Sequence, residues 1–492
     1  MRRIIMTEFI AASPHHVTEN RAVGPLIDEM DLIFQAQQEA FHKAPMPDAQ
    51  QRIAHLNRFK IAMIRYQDQI VRAIDEDFGG RARDETLLAE FFPSVEGIRY
   101  AVKRIRRWMK PQRRRMGLMF QPGRARIIYQ PLGVVGVIAP WNYPLYLTVS
   151  PLTAALAAGN RVMIKMSEYT PKTAEIVRQI LADTFKQDHV AVVTGGADVA
   201  AAFSAKPWNH LLFTGSTAVG RRVMRTAAEN LTPVTLELGG KSPAIIGPDT
   251  PVAEAAERIA FGKAFNAAQT CVAPDYVFCP RPNVNQFVAS FQRCVANMYP
   301  TLETNADYTS IINSRRHERM QQLIADAKAK GARVDVINPA GEAFADTRKM
   351  PMYVLRDVTE NMSVMQEEIF GPILPVMPYD ALSDAVAYVN AHPRPLALYY
   401  FGYTRQHRDY ILDQTHSGGV LFNDTLIHAA QDDLPFGGVG ASGMGRYHGR
   451  EGFITFSNPR GVVFKPRFNS SKMIYPPYNR PIHRLIYKLF LR

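Results

Sequence analysis

Residues 132–165 read LGVVGVIAPWNYPLYLTVSPLTAALAAGNRVMIK. The first nine are a short apolar run rich in Val and Ile, the mark of a strand buried on both faces. The segment from Pro144 to Gly159 is rich in small residues and long enough for a helix. RVMIK is the next strand. A strand, a crossover helix and a second strand predict parallel pairing.

The same alternation continues downstream. TAEIVRQILADTF reads as a helix, HVAVVTG as a strand, DVAAAFSA as a short helix, HLLFTG as a strand and STAVGRRVMRTAAENL as a helix. This predicts a parallel, doubly wound α/β sheet that binds ligands outside the carboxyl ends of its strands. A second α/β region follows from about 240 to 430.

Upstream, residues 31–110 read as helical, and ARIIYQ is a strand in a hairpin marked by Gly and Pro. Residues 1–30 lack clear periodicity and read as an arm. The last sixty residues are poor in helical periodicity until the basic, amphipathic IHRLIYKLFLR.

The chain has 492 residues, too many for one core, so two or three domains are expected. Its three cysteines offer neither a disulfide framework nor a metal-ligand spacing, which favours a reducing compartment, the cytoplasm. The amino terminus makes a poor signal peptide, and no run reaches the length of a membrane span.

Net charge is 58 − 45 = +13, which raises nucleic acid or an anionic surface as partners. The densest basic stretch, KRIRRWMKPQRRR, follows an apolar stripe of Val95, Ile98, Val102, Ile105 and Met109. Its cations therefore read as a solvated helix face, and no nucleic-acid motif supports the sharper alternative.

Several strand ends and turns carry chemistry. Cys271 lies in FNAAQTCVAPDYVF, on a connection rather than in a core element. By contrast, Cys279 and Cys294 sit in apolar patterns that read as packing. Glu237 in VTLELGGKSP ends an apolar strand. Partial desolvation there would raise its pKa and suit a general base, while pairing with Lys241 is the structural alternative. Asn142, on a turn set by Pro140 and Pro144, is a rigid amide suited to an oxyanion. In FTGSTAVG, Gly215 permits a tight turn, Ser216 caps a helix, Gly220 allows close packing, and backbone N–H groups favour a phosphate. Lys165, Ser167 and Glu168 share the expected rim, and EEIFGP brings Glu367 and Glu368 beside Phe370.

Together, PWNYP, FTGST, LELGGKSP, QTCVAPDY, EEIFGP and LPFGGVGASGMG resemble the aldehyde dehydrogenases from about residue 30 to 460. APDY and YHGREGF look like the class 3 branch, within which the coniferyl-aldehyde enzymes are most similar. The resemblance implies an α/β chain with a Rossmann-like NAD-binding domain (31–111 and 132–238) and an α/β catalytic domain (239–439). It adds a small β oligomerisation element (112–131 and 440–475), between an arm (1–30) and a basic tail (476–492).

It also implies that Cys271 attacks an aldehyde, coniferaldehyde or a related aromatic one, through a thiohemiacetal and a thioester. Asn142 and the Cys271 N–H would hold the oxyanion, and Glu237 would activate the hydrolytic water. For NAD, it implies Lys165 and Glu168 at the adenosine ribose, Gly215, Ser216 and Gly220 near the pyrophosphate, and Glu368 at the nicotinamide ribose with Phe370 packing nearby. Glu168 favours NAD over NADP, although class 3 relatives accept both.

Tyr143 and Thr270 are expected to line the substrate channel. Ala268 stands where the family commonly has Gly, and its methyl is expected to narrow that channel slightly. A broad aliphatic or fatty-aldehyde enzyme is the main alternative. A CoA-acylating relative would lack Glu237. The implied partners are a small aldehyde and a second copy of the chain in a dimer. No nucleic acid and no membrane span are expected, and the basic tail allows weak surface association.

Overall fold

The computed structural model describes residues 23–117 and 120–491. Most of the expected arm, residues 1–22, lies outside them. Residues 23–30, however, are not an arm: a helix runs Val23–Lys43. Met30 and Phe34 on it are buried among Trp208 and Phe203, and Leu26, Ile27 and Ile33 pack on the same cluster. Their three- and four-residue spacing is a helical stripe that the arm reading passed over.

The strands expected between 132 and 238 form one sheet. In chain order they are Val134–Ile138, Arg161–Lys165, Val190–Val193, His210–Gly215 and Val234–Leu238. The first strand is flanked by the second on one side and the fourth on the other, and these five are mutually parallel. The winding therefore reverses between Val134–Ile138 and His210–Gly215, and a crevice opens at their carboxyl ends.

The sheet is not wholly parallel. Gly443–Met444 adds a short antiparallel edge, with Gly443 opposite Glu237. A two-residue strand carries no periodicity from which to predict it.

A seven-stranded sheet follows, parallel except for the Arg333–Ile337 edge. Its strand Pro243–Ile246 begins just after Val234–Leu238 ends, across Gly239–Gly240. The carboxyl end of the first sheet thus faces the connection that precedes the strand Tyr276–Pro280, and that connection carries Cys271. A third, antiparallel sheet joins Gln112–Arg114, Arg124–Pro131 and Ser457–Phe464.

On the helix Phe92–Trp108, Val95, Ile98 and Ile105 are buried and Val102 packs against the same core, as does Met109 just beyond the helix end. Lys103, Arg106, Arg107 and Lys110 are exposed, as the stripe requires.

Candidate active site

Two loops bring the chemistry together. PWNYP leaves the strand Val134–Ile138 at the switch point. The other loop follows the helix Val252–Ala264 and turns left-handed through Asn266, Ala267 and Ala268, with φ of 53°, 47° and 59°. Such backbone costs roughly 1–2 kcal/mol per non-glycine residue, so surrounding contacts must hold it. They do. The Asn266 side chain donates to the Asn142 and Gln269 carbonyls, each at 3.1 Å. Gln269 Nε2 donates to Asn266 O (3.1 Å) and Ser310 O (3.0 Å), and its Oε1 accepts from Ile312 N. Ala268 is fully buried, so its methyl does not narrow the channel as expected. Its φ supplies the physical reason why glycine suits the position.

Asn142 is buried and donates through Nδ2 to Gln269 O at 3.1 Å, which leaves its second amide hydrogen for a substrate oxygen. Beneath it lies Arg81, which sequence reading missed. The guanidinium donates to Glu90 at 2.7 Å and to Asn142 O at 3.2 Å, and stacks on the rings of Tyr143 and Phe78. Glu90 in turn accepts from the Leu145 and Tyr146 N–H groups at the start of the next helix. No local pattern marks Arg81; its role exists only because its loop folds under PWNYP.

Glu237 is buried beside Cys271, with Oε1 3.8 Å from Sγ. It accepts hydrogen bonds from Tyr447 Oη (3.1 Å) and Thr214 Oγ1 (3.3 Å). Burial pushes its pKa up to about 7, against the pull of these donors. The alternative pairing with Lys241 is not made. Lys241 pairs instead with Asp275 and donates to the Val364 and Glu367 carbonyls, which ties EEIFGP to the Cys271 loop.

The Cys271 thiol does not sit near its ionisation point. Desolvation first, then the Glu237 and Glu368 carboxyls, hold its pKa well above the ordinary value. Glu368 is itself raised to about 8, by burial and then by Asp275. Cys279 and Cys294 are packing residues, as read from the sequence.

An apolar cavity of about 280 Å³ ends on Cys271, Glu237 and Thr270, with Tyr143, Tyr146 and Phe436 among its walls. Tyr143 and Thr270 bond to each other through their hydroxyls at 2.6 Å. That leaves the Tyr143 ring face, rather than its oxygen, as its contribution to the wall.

The remaining expected residues lie along the rim. Lys165 is buried at its strand end and pairs with the half-exposed Glu168 at 3.7 Å. Ser216 caps the helix Thr217–Ala228 through Val219 N. A Cβ on Gly220 would come within 2.6 Å of Leu238, and one on Gly239 within 2.2 Å of the Glu368 carboxylate. Glycine at these two positions lets the backbone pack directly against the Leu238 and Glu368 side chains. Phe370, at φ 56°, sets its ring edge-on to Trp141 at 5.4 Å.

Glu168 is the residue whose charge is expected to bear on cofactor choice. A second anion about 4 Å away in a water-like medium costs roughly 1 kcal/mol. Glu168→Gln is expected to raise the NADP-to-NAD efficiency ratio about fivefold, measured by initial rates with each dinucleotide. An unchanged ratio would remove Glu168 from cofactor discrimination.

Among known proteins, the Aldehyde dehydrogenase family model matches residues 26–462. A probable coniferyl aldehyde dehydrogenase of Pseudomonas aeruginosa is 57% identical over 466 residues, 95% of this chain and 97% of that one. The substrate-bound AldH of Staphylococcus aureus superposes with a TM-score of 0.89 at 34% identity, covering 94% of this chain and 99% of that one. An aldehyde dehydrogenase of Mycobacterium tuberculosis complexed with NAD+ superposes at 0.82 and 29% identity, covering 90% and 91%.

Proposed function

The chain belongs to the aldehyde dehydrogenase family, and from that we propose that it oxidises coniferaldehyde or a closely related aromatic aldehyde to its acid. One observation carries this reading. A thiol and a buried carboxyl, 3.8 Å apart, end a cavity whose walls include several aromatic rings. The similarity to the coniferyl-aldehyde enzyme of P. aeruginosa supports it.

In this reading Cys271 Sγ adds to the aldehyde carbon and passes its proton to Glu237, whose pKa near 7 lets it accept one. The carbonyl oxygen, now anionic, is held by the free Asn142 amide hydrogen and the Cys271 N–H. NAD would be held along this rim, with Lys165 and Glu168 at the adenosine ribose, Gly215, Ser216 and Gly220 near the pyrophosphate, and Glu368 and Phe370 at the nicotinamide side. When bound, NAD supplies the two-electron acceptor that turns the thiohemiacetal into a thioester. Glu237 gives the thiol proton up to solvent and, ionised again, takes another from water as the water attacks the acyl carbon; the C–S bond breaks and the proton passes to the Cys271 sulfur as the acid leaves. The apolar walls keep bulk water from the thioester until Glu237 directs one molecule to it.

The Tyr143 ring favours a planar conjugated aldehyde by roughly 0.5–1.5 kcal/mol, which is about two- to thirteenfold in efficiency. The test is a screen of purified enzyme with NAD. Coniferaldehyde should exceed hexanal and octanal in kcat/KM, and Tyr143→Ala should shrink the gap. A clear preference for the alkanals would replace the aromatic reading with the aliphatic one.

We also assign residues 31–111 and 132–238 to dinucleotide binding, with the helix from Val23 now joined to them, and 239–439 to catalysis. The three-stranded sheet built from 112–131 and 457–464 suits a homodimer. Its outer strands, Gln112–Arg114 and Ser457–Phe464, pair with no further strand among the described residues. Light scattering should read twice the chain mass; a monomer would refute the assignment. Free thiols at all three cysteines accord with the cytoplasm. No described helix is long and apolar enough to cross a membrane. The exposed Leu485 and Leu489 beside Lys488 suit weak surface association.

A further inference from the structure

A cavity of about 620 Å³ opens at the end of the first sheet away from the cofactor rim. Gly159 and Arg161 line it where the strand Arg161–Lys165 begins, and Lys186, Asp188 and His189 line it just before the strand Val190–Val193. Lys165, at the far end of the same strand, belongs to the rim. The length of that strand, roughly 13 Å at about 3.3 Å per residue, separates the two places. None of the residues lining the cavity takes part in the reaction above.

Its charge is one-sided. Arg58, Arg161 and Lys186 line it against a single carboxylate, Asp188, which already lies 3.9 Å from Arg161. Arg161 is largely buried and fixed in place: its guanidinium donates to Asp188 O and, at 2.9 Å, to Ala40 O. Arg58 and Lys186 make no hydrogen bond or ion pair with any described residue. A fourth cation lies under the floor. Arg52 is buried beneath Gly159, on which a Cβ would come within 2.8 Å of Arg52 Nη2, and that nitrogen has no partner. Guanidinium N–H groups held out of water without an acceptor favour an anion, and their forked geometry matches phosphate oxygens.

Two imidazoles add neutral donors. His55 and His189 meet edge to face, with ring centroids 4.5 Å apart, and neither ring hydrogen-bonds to a described residue. Burial, followed by the charges of Arg58 and Arg161, holds His55 below its ordinary pKa. Burial, then His55 and the same two arginines, pushes His189 down to about 3. Both rings are therefore neutral at pH 7, and each keeps an N–H that no described residue accepts. Phe41, Met46 and Phe185 supply an apolar wall beside these groups. The volume lies in the range of small-metabolite sites, roughly 300–1,000 Å³.

We propose that this cavity is a second ligand site, for a small organic phosphate. Arg58, Arg161, Lys186 and the two imidazole N–H groups take the phosphate, and Phe41, Met46 and Phe185 take the organic part. Because the site lies at the opposite end of the sheet from the cofactor rim, its ligand and NAD bind together.

The probe is phenyl phosphate, titrated by calorimetry into the full-length protein in low-salt, phosphate-free buffer, with and without NAD. The expected result is one site per chain with a Kd below about 1 mM, weaker binding of inorganic phosphate and none of phenol. Arg58 and Lys186 are exposed and hold no described partner, so their removal spares the fold. Arg58→Ala and Lys186→Ala should each weaken binding about tenfold, and the double variant about a hundredfold. Circular dichroism checks that each variant is folded. A wild-type Kd above about 1 mM, or equal affinity in wild type and the double variant, would overturn the proposal. Displacement of the probe by NAD together with that equal affinity would place it on the cofactor rim instead.

Discussion

Cys271→Ala should abolish NADH formation, with a loss of roughly four orders of magnitude or more, as removal of a catalytic nucleophile brings in other enzymes. Among the described residues alanine takes away the only sulfur that lines the apolar cavity; Cys279 is buried in a strand and Cys294 packs on the helix Val284–Met298, and neither lines it. The rim residues Lys165, Glu168, Gly215 and Ser216 belong to the other sheet, so NAD affinity should stay within about twofold by calorimetry. Appreciable aldehyde oxidation by the variant would end the nucleophile assignment. A parallel loss of NAD binding would show instead that the substitution had disturbed the fold.

Glu237→Gln should have the next largest effect, about 10²- to 10⁴-fold on steady-state turnover, the usual span for a general base. The amide keeps the shape and still accepts from Tyr447 and Thr214, but it cannot take a proton from water. Glu237 serves both steps, but the sulfur is the stronger nucleophile and depends on the base less than water does, so acylation should fall less than deacylation, and intact mass after addition of aldehyde and NAD should reveal a trapped thioester. Unchanged turnover would hand the role to another base, with Glu368 the nearest candidate by charge and burial.

The pH dependence follows from the raised carboxyl. Glu237 must be ionised to act as the base, so deacylation should rise with pH through about 7 and level off above it. Cys271, Glu237 and Glu368 influence one another, so the measured inflection belongs to the cluster. In Glu237→Gln the inflection near 7 should disappear from the deacylation rate. A profile that keeps it would place the titrating base elsewhere.

The sequence by itself determined a good deal, wherever the signal is local. The alternation of strand and helix from 132 to 238 is a repeating property of neighbouring residues, and the strands fall where that alternation puts them. The stripe from Val95 to Met109 is local in the same sense. So are Asn142 on its proline-set turn, Glu237 near its strand end and Cys271 on its connection, because each position is set by its own few flanking residues.

Only the tertiary structure decided the rest. Tyr447 stands 210 residues from the Glu237 carboxylate it supports, and Lys241 chose Asp275 over the closer carboxylate in sequence. Arg81 became the strut under Asn142 only once its loop was buried beneath PWNYP. The Cys271 thiol is held well above its ordinary pKa by a dry pocket and by two carboxyls contributed from other segments. The common reason is physical: hydrophobic period and turn chemistry act over a few residues, whereas desolvation and charge act through space between segments that the fold alone makes neighbours.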